Sequence, residues 1–212
     1  MRLSAESLFT ADKGIRLQRV KHALLDARTD GSACLSGLLT AKALDAMLHE
    51  AVRVPGVIKR RIDAWEKVNR ATFVPGNPNG LLDIAYFTLF NSKQFTPTAH
   101  AFTALIAQDV RGAGTLSRQL PLAEWYPNRI GFNYMHGTPA RPALIPDHTD
   151  PKEEHGVVLA LNLDYSSIGG YRGDIHFILS QDTCQEIGIA QAVHSVSAHS
   201  ERIGMTIAEL VA

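Results

Sequence analysis

The spacing of hydrophobic residues changes near residue 125, and this change constrains the possible folds more than any other feature. Upstream, apolar residues recur at intervals of three and four, which is typical of amphipathic helices. The helices predicted there cover residues 15–28, 40–51, 57–70 and 97–110, and a strand-like segment covers 84–90. The strands predicted downstream cover residues 128–135, 142–147, 156–164, 173–179, 187–197 and 202–211. Short strands separated by turn residues indicate an antiparallel barrel or jelly roll, with the helical half packed against it.

Local signals mark where the predicted helices begin and end. Thr40 is a suitable N-cap for the second helix. Pro97 suits the first turn of the last helix, because its missing N–H would have no helical partner there. Pro55-Gly56 is predicted to separate the second and third helices.

The length of 212 residues makes a single domain the default. We therefore expect one domain, residues 1–212, in which 1–125 support a β-core formed by 126–212. Hydrophobic residues make up 45% of the chain and charged residues 20%, as in ordinary globular proteins. The formal net charge is zero, which argues against nucleic acid as the main ligand, because phosphate backbones attract basic surfaces.

The cysteine content and the N-terminal residues indicate in which cellular compartment the protein is expected. Cys34 and Cys184 are the only cysteines and lie far apart in the sequence, so we expect no disulfide framework and a reducing environment. The first residues contain no apolar signal-like segment, and no long apolar run occurs elsewhere. We expect a cytoplasmic protein with no membrane partner, and the sequence does not indicate an oligomeric state.

The segment Ile145–Asp150 contains the strongest candidate site. His148 and Asp150 are two residues apart, and alternate residues of a strand lie on the same side. Two imidazoles and one carboxylate on one face of an octahedral metal form the facial triad of non-haem Fe(II) oxygenases. A later histidine, His194 or His199, would have to supply the third ligand. The competing interpretation is a surface turn, because prolines adjoin the motif on both sides.

Arg202 is the candidate for binding an anionic cosubstrate. It follows His194 by eight residues and begins an apolar run. The planar guanidinium group of arginine binds a carboxylate through two parallel hydrogen bonds, which the ammonium group of lysine cannot do. The competing interpretation is a salt-bridged residue at the end of a strand.

Six segments in the second half of the chain resemble a known family. They are Phe132–Gly137, His148–Asp150, Val157–Leu163, Gly173–Phe177, His194–Val196 and Glu201-Arg202. Their order resembles that of the Fe(II)/2-oxoglutarate-dependent dioxygenases. In that family they would be a strand and turn, the His-x-Asp motif, two apolar strands, the distal histidine and the final strand with its arginine. Each motif is weak alone, and the common order makes the match more specific.

The resemblance implies a fold, a set of cofactors and a site. The fold would be α+β, with a double-stranded β-helix core of the cupin-like jelly-roll kind in the C-terminal half, buttressed by N-terminal helices. The cofactors would be Fe(II), 2-oxoglutarate as cosubstrate, and O2. The metal-binding and catalytic residues would be His148, Asp150 and His194, and the residues that bind 2-oxoglutarate would be Arg202, Tyr134 and Thr206.

The match departs from the family pattern around the distal histidine. The interval from His194 to Arg202 is shorter than is usual, and Glu186–Gln191 replaces the usual approach to that histidine. With His199 as the ligand, Arg202 would be only three residues away, which leaves no room for a turn between strands. His194 is therefore the preferred ligand, and His199 is the alternative.

Three functional hypotheses remain open at this point. The preferred one is oxidation, most commonly hydroxylation, of a small molecule such as an amino acid or biosynthetic intermediate, with conversion of 2-oxoglutarate to succinate and CO2. The second is the same chemistry on a nucleobase or a peptidyl side chain. The third is a cupin-like metal- or ligand-binding protein without catalytic activity, in which Arg202 does not face the metal.

Overall fold

The computed structural model describes residues 5–58, 67–71, 81–88, 93–117, 120–136, 139–140, 143–148, 156–163, 171–198 and 201–208. Within these ranges, most of the helical residues precede residue 125, as the hydrophobic spacing predicts, but five of the eleven described strands also precede it. None of the helices in these ranges combines the length and the hydrophobicity that crossing a lipid bilayer requires.

The helices begin and end at residues that satisfy their terminal backbone groups. Their bounds are α1 (Ala5–Leu8), α2 (Lys13–Asp30), α3 (Ala41–Ile58), α4 (Pro97–Gly112) and α5 (Gln181–Ile187). The side chain of Asp12 accepts the N–H of Ile15 at 3.0 Å, and Gly31 ends α2 with a φ of 79°. The hydroxyl of Thr40 accepts the N–H of Ala43 at 3.2 Å, so the predicted N-cap of α3 is confirmed.

The start of α4 combines a proline with a carboxylate from another helix. Thr96 is the N-cap and Pro97 lies in the first turn, as predicted. The carboxylate of Glu50, on α3, accepts the N–H groups of Thr98 and Ala99 at 2.8 and 3.1 Å. A negative charge is favourable at a helix N-terminus, so Glu50 fixes α4 against α3.

The strands form one large sheet and two small ones. Their bounds are β1 (Ser32–Leu35), β2 (Lys67–Ala71), β3 (Leu81–Thr88), β4 (Thr115–Ser117), β5 (Leu120–Pro121), β6 (Arg129–His136), β7 (Ala143–His148), β8 (Val157–Asn162), β9 (Ile175–Leu179), β10 (His194–Ala198) and β11 (Glu201–Ala208). The seven-stranded sheet has the order β1-β9-β8-β11-β6-β3-β2, while β10 pairs with β7 and β4 with β5. All of these pairings are antiparallel, as predicted.

One face of the large sheet packs against the helices. The shared core includes, from the strands, Ile130, Phe132, Leu159, Leu161, Phe177, Met205 and Ile207, and, from the helices, Val20, Leu24, Met47, Phe102 and Ile106. Side chains alternate along a strand, so the intervening residues lie on the opposite face. We call this opposite face the inner face, and it carries Val158, Ala160, His176, Ile178 and Thr206.

A buried ion pair joins α2 to α4. The Nε of Arg16 contacts a carboxylate oxygen of Asp109, and Nη2 donates to the other oxygen at 3.2 Å. The two residues are only 7% and 2% exposed. The guanidinium carbon also lies 4.1 Å from the ring centroid of Phe9. Each buried charge therefore depends on the other for compensation.

The structure contradicts part of the helix predicted over 57–70. Lys67–Ala71 is strand β2, which pairs with β3 at the edge of the large sheet. The helix break predicted at Pro55-Gly56 is also wrong, because α3 continues through these residues to Ile58. Residues 59–66 lie outside the described ranges. Local hydrophobic spacing does not report backbone pairing with a distant strand, which decides the outcome at β2.

The strand predicted over 187–197 is correct only at its end. Residues up to Ile187 belong to α5, and β10 begins at His194. The hydroxyl of Ser180 accepts the N–H of Thr183 at 3.3 Å, and Gly188 ends the helix with a φ of 74°. Ser180 and Gly188 can be recognised in the sequence as capping residues, but the short apolar run around Gly188 favours a strand.

The buried ion pair gives a prediction about stability. Arg16→Ala should lower the free energy of unfolding by about 3–5 kcal/mol, because Asp109 would remain buried without a counter-charge. Chemical denaturation would measure this loss. The matched control is Arg53→Ala, at an exposed position on α3, which should change stability by less than about 0.5 kcal/mol. Equal unfolding midpoints for Arg16→Ala and Arg53→Ala would contradict the role assigned to the pair.

Candidate metal and cosubstrate site

The small β7–β10 sheet brings two of the predicted metal ligands to adjacent positions. His148 and His194 are direct partners in its antiparallel ladder. The register then shifts before the next pair, Ile145 with Val196. Between these pairs β7 contains Pro146-Asp147, one residue more than β10 contains. A proline has no N–H to donate to a ladder, so an irregularity at this point suits the sequence.

Direct pairing has a geometric consequence for the two histidine positions. Partners in an antiparallel ladder lie on the same face of the sheet, with Cα atoms about 4.5–5.5 Å apart. His148 and His194 are far apart in the sequence, and only the pairing of β7 with β10 makes them neighbours. Asp150, the predicted carboxylate ligand, and His199, the alternative distal ligand, lie outside the described residues.

The chain enters β10 from a point against the inner face of the large sheet. Ala192 is 6% exposed and packs with Val158 and Ile178 of that face. It precedes His194 by two residues, so the start of β10 lies beside the inner face. The segment that leads into β10 therefore lies against the inner face of the large sheet.

The final strand carries two of the residues predicted to bind 2-oxoglutarate. Thr206 pairs with Gly131 on β6 and with Ala160 on β8, and it is half-buried on the inner face. Arg202 pairs with Met135 and lies four residues before Thr206. The two positions belong to the same alternating set and hence to the same face.

Tyr134 belongs to the other set of positions. It pairs with Ile203 on β11, and it alternates with the same phase as Ile130 and Phe132, which are buried in the core beside the helices. Its position and that of Arg202 are therefore on opposite faces of the large sheet. The role of Tyr134 in binding 2-oxoglutarate stays a prediction, and the strand register does not support it.

A second group of polar residues lies on the inner face and was not predicted as a site. Ligand atoms of Cys34, Asp174 and His176 all lie within 4.8 Å of one another. The spacing of Asp174 and His176 was visible in the sequence, whereas β1, which carries Cys34, was not predicted. Cys34 and His176 are direct partners in the β1–β9 ladder, so tertiary pairing brings the group together.

The register relates this group to Thr206. His176 pairs with Ala160, and Ala160 pairs in turn with Thr206. His176 and Thr206 thus lie in one row across the sheet with β8 between them. Strand spacing puts their Cα atoms about 10 Å apart.

Comparison with known proteins identifies the fold. A prolyl hydroxylase from Trichoplax adhaerens, in complex with a hypoxia inducible factor oxygen degradation domain peptide, has a TM-score of 0.64 at 8% identity, with 95% of this chain and 94% of that chain covered. A rice dioxygenase for auxin oxidation has a TM-score of 0.58 at 14% identity, with 96% and 81% covered. The chain has the fold of the Fe(II)/2-oxoglutarate-dependent dioxygenases. A full-length Neurospora crassa protein in complex with alpha-KG is also similar, with a TM-score of 0.58 at 10% identity, and 94% and 81% covered.

These similarities confirm the predicted fold class, α+β with a double-stranded β-helix core. At the level of the fold, they agree with the resemblance drawn from the order of the motifs. No protein-family model matches the sequence, and no curated protein matches it significantly. At 8–14% identity, the similar structures establish the fold alone.

Proposed function

We propose that this protein is an Fe(II)/2-oxoglutarate-dependent dioxygenase in which His148, Asp150 and His194 bind the iron. The observation that carries the proposal is the direct pairing of His148 with His194 in a chain of this fold. A local His-x-Asp motif can supply two of the three ligands of the facial triad, and the second histidine must come from another strand.

The donor set fits a non-haem ferrous ion. Two imidazoles and one carboxylate are the ligands of the facial triad, which leaves positions for a cosubstrate and oxygen. Asp150 follows His148, the last residue of β7, by two positions in the sequence. When bound, the iron would supply the oxidation of an unactivated C–H bond by O2, while 2-oxoglutarate is converted to succinate and CO2.

Arg202 and Thr206 would hold the distal carboxylate of 2-oxoglutarate. The guanidinium group can donate two parallel hydrogen bonds to a carboxylate, and the threonine hydroxyl can donate a third. Gly204 lies between them on the same alternating set. Among the described residues, a Cβ at Gly204 would make one ordinary contact, 3.7 Å from the carbonyl oxygen of Leu161. Glycine therefore keeps the position between Arg202 and Thr206 free of a side chain.

The proposed substrate is a small molecule. The zero net charge supports this over a nucleobase in a nucleic acid, because the chain has no basic excess to attract phosphates. The similar rice enzyme is described as a dioxygenase for auxin oxidation, which is consistent with such a substrate. A peptidyl side chain is the second candidate, because the similar Trichoplax enzyme is a prolyl hydroxylase in complex with a peptide.

The remaining alternative is a metal-binding protein of this fold without catalytic activity. That alternative requires Arg202 to lie away from the metal. Arg202 shares its alternating set with Thr206, on the inner face against which the chain enters β10. The register therefore favours the enzyme.

The iron site predicts a spectroscopic signal. Anaerobic addition of Fe(II) and 2-oxoglutarate should give a weak visible metal-to-ligand charge-transfer band, because the cosubstrate chelates the metal. His148→Ala, Asp150→Ala and His194→Ala should each abolish the band, since each removes one of three protein ligands. The absorbance of the band, recorded during the titration, is the measurement.

Two further variants act as controls for that titration. His22→Ala changes an exposed histidine on α2 and should leave the band unchanged. His199→Ala should also leave it unchanged if His194 is the distal ligand. A band that persists in His194→Ala and disappears in His199→Ala would reassign the distal ligand. A band that persists in His148→Ala would reject the site.

The role proposed for Arg202 predicts that its substitution weakens 2-oxoglutarate binding. Arg202→Ala should weaken 2-oxoglutarate binding by about 10- to 100-fold, because hydrogen bonds to charged groups contribute about 1.5–3 kcal/mol and each 1.4 kcal/mol is a factor of ten. Iron affinity should remain near that of the wild type. Arg202→Lys should recover only part of the loss, since lysine keeps the charge without the planar fork. Unchanged 2-oxoglutarate binding in Arg202→Ala would exclude this role.

The substrate class can be tested by succinate formation. Amino acids and biosynthetic intermediates should stimulate succinate release in the wild type and fail to do so in Asp150→Ala. Proline-containing peptides, assayed in parallel, test the second candidate. Stimulation by peptides alone would replace the small-molecule assignment with a peptidyl one.

A further inference from the structure

We propose that Cys34, Asp174 and His176 form a second metal site, which binds a borderline divalent cation such as Zn²⁺ and fastens the edge strand β1 to β9. The thiol sulfur, a carboxylate oxygen and an imidazole nitrogen lie within 4.8 Å of one another. This site does not depend on the proposed iron site, because it shares no residue with it.

The backbone holds these three residues close together. Cys34 and His176 are direct partners in the β1–β9 ladder, and both lie on the inner face. Asp174 immediately precedes β9 and is 4% exposed. Its Oδ2 accepts the N–H of Tyr171 at 2.8 Å, which fixes the direction of the carboxylate. Such a hydrogen bond to a ligating carboxylate is typical of metal sites.

The surrounding turn is itself well anchored. The N–H of Gly173 donates to the carbonyl oxygen of Asn162 at 2.8 Å, and the N–H of Asn162 donates to the carbonyl of Asp174 at 3.1 Å. Arg172 pairs with Asp45 of α3 through Nη2 at 2.5 Å. The carboxylate therefore belongs to a segment tied to both β8 and α3.

The donor set favours zinc over calcium or magnesium. A thiolate and an imidazole are ligands for zinc, whereas calcium and magnesium take oxygen ligands. Three protein ligands and one water would complete a tetrahedral site. Zinc–ligand bonds of about 2.0–2.3 Å require the three ligand atoms to lie about 1 Å closer to one another than they do here. Cys34 is exposed, so the ion can enter from solvent.

The charges around Cys34 favour a role as a metal ligand over a role as a nucleophile. Although Cys34 is exposed, partial burial of its thiol raises the pKa, a hydrogen bond with Ser36 lowers it, and the charge of Asp174 raises it. Nucleophilic cysteines require a positive environment that stabilises the thiolate. Here the neighbouring charge is negative, and a divalent cation would compensate both the thiolate and the buried carboxylate.

The position of the group suggests what the ion does. Among the described strands, β1 pairs only with β9 and forms the edge of the large sheet. Its ladder contains four residue pairs. A metal bond from Cys34 to His176 and Asp174 would hold this short edge strand to its neighbour.

Cobalt(II) is the probe that separates the two proposed metal sites. The iron ligands include no sulfur, so a thiolate-to-cobalt charge-transfer band in the near ultraviolet can arise only from a cysteine. We expect one equivalent of this band when chelator-treated protein is titrated with Co²⁺. Cys34→Ser should lose it, and Cys184→Ala, which changes the buried cysteine of α5, should keep it. A variant with both His148→Ala and Asp150→Ala should also keep it.

Zinc provides an independent readout on the same variants. Zn²⁺ at about 100 times its Kd should raise the Tm of the wild type by about 5–10 °C. The rise should be absent in Cys34→Ser and His176→Gln and present in the variant without the iron ligands. Absence of the cobalt band in folded wild-type protein overturns the proposal. So does a zinc effect that persists in Cys34→Ser and disappears when His148 and Asp150 are changed, because the zinc would then occupy the iron site.

Discussion

The alternation of side chains along β11 is the constraint on which the rest of the structure depends. Met205 and Ile207 are fully buried against the helices, and Thr206 between them lies on the inner face. A shift of one residue would exchange the two sets, so burial of the apolar set fixes the register. Because β11 lies between β6 and β8, its register also determines which residues of both neighbours share the inner face.

The proposed iron and 2-oxoglutarate sites come from different sheets. The paired histidines lie on β7 and β10, whereas Arg202 and Thr206 lie on β11 of the large sheet. Ala192 packs on the inner face of the large sheet two residues before β10 begins. The helices stabilise this arrangement from the other side, where the buried pair of Arg16 and Asp109 connects α2 to α4. The chemistry therefore depends on how the layers stack.

Local signals in the sequence were sufficient wherever the structure is itself local. Thr40 and Pro97 mark real helix starts because capping involves residues a few positions apart. Prediction failed at Lys67–Ala71, where edge pairing with β3 decided the structure, and at 187–197, where a short apolar run suited a helix or a strand equally well. Strand β1 was missed for the same reason as β2, since its pairing with β9 is distant in sequence.

The sequence by itself determined the order of the motifs and the starts of α3 and α4, because helix capping involves residues a few positions apart. Only the tertiary structure decided that His148 pairs with His194, that Tyr134 and Arg202 occupy opposite faces, and that Cys34 meets His176. Each of these depends on the register between strands far apart in the chain. That register is set by backbone hydrogen bonds and core burial across the whole sheet, which no short segment encodes.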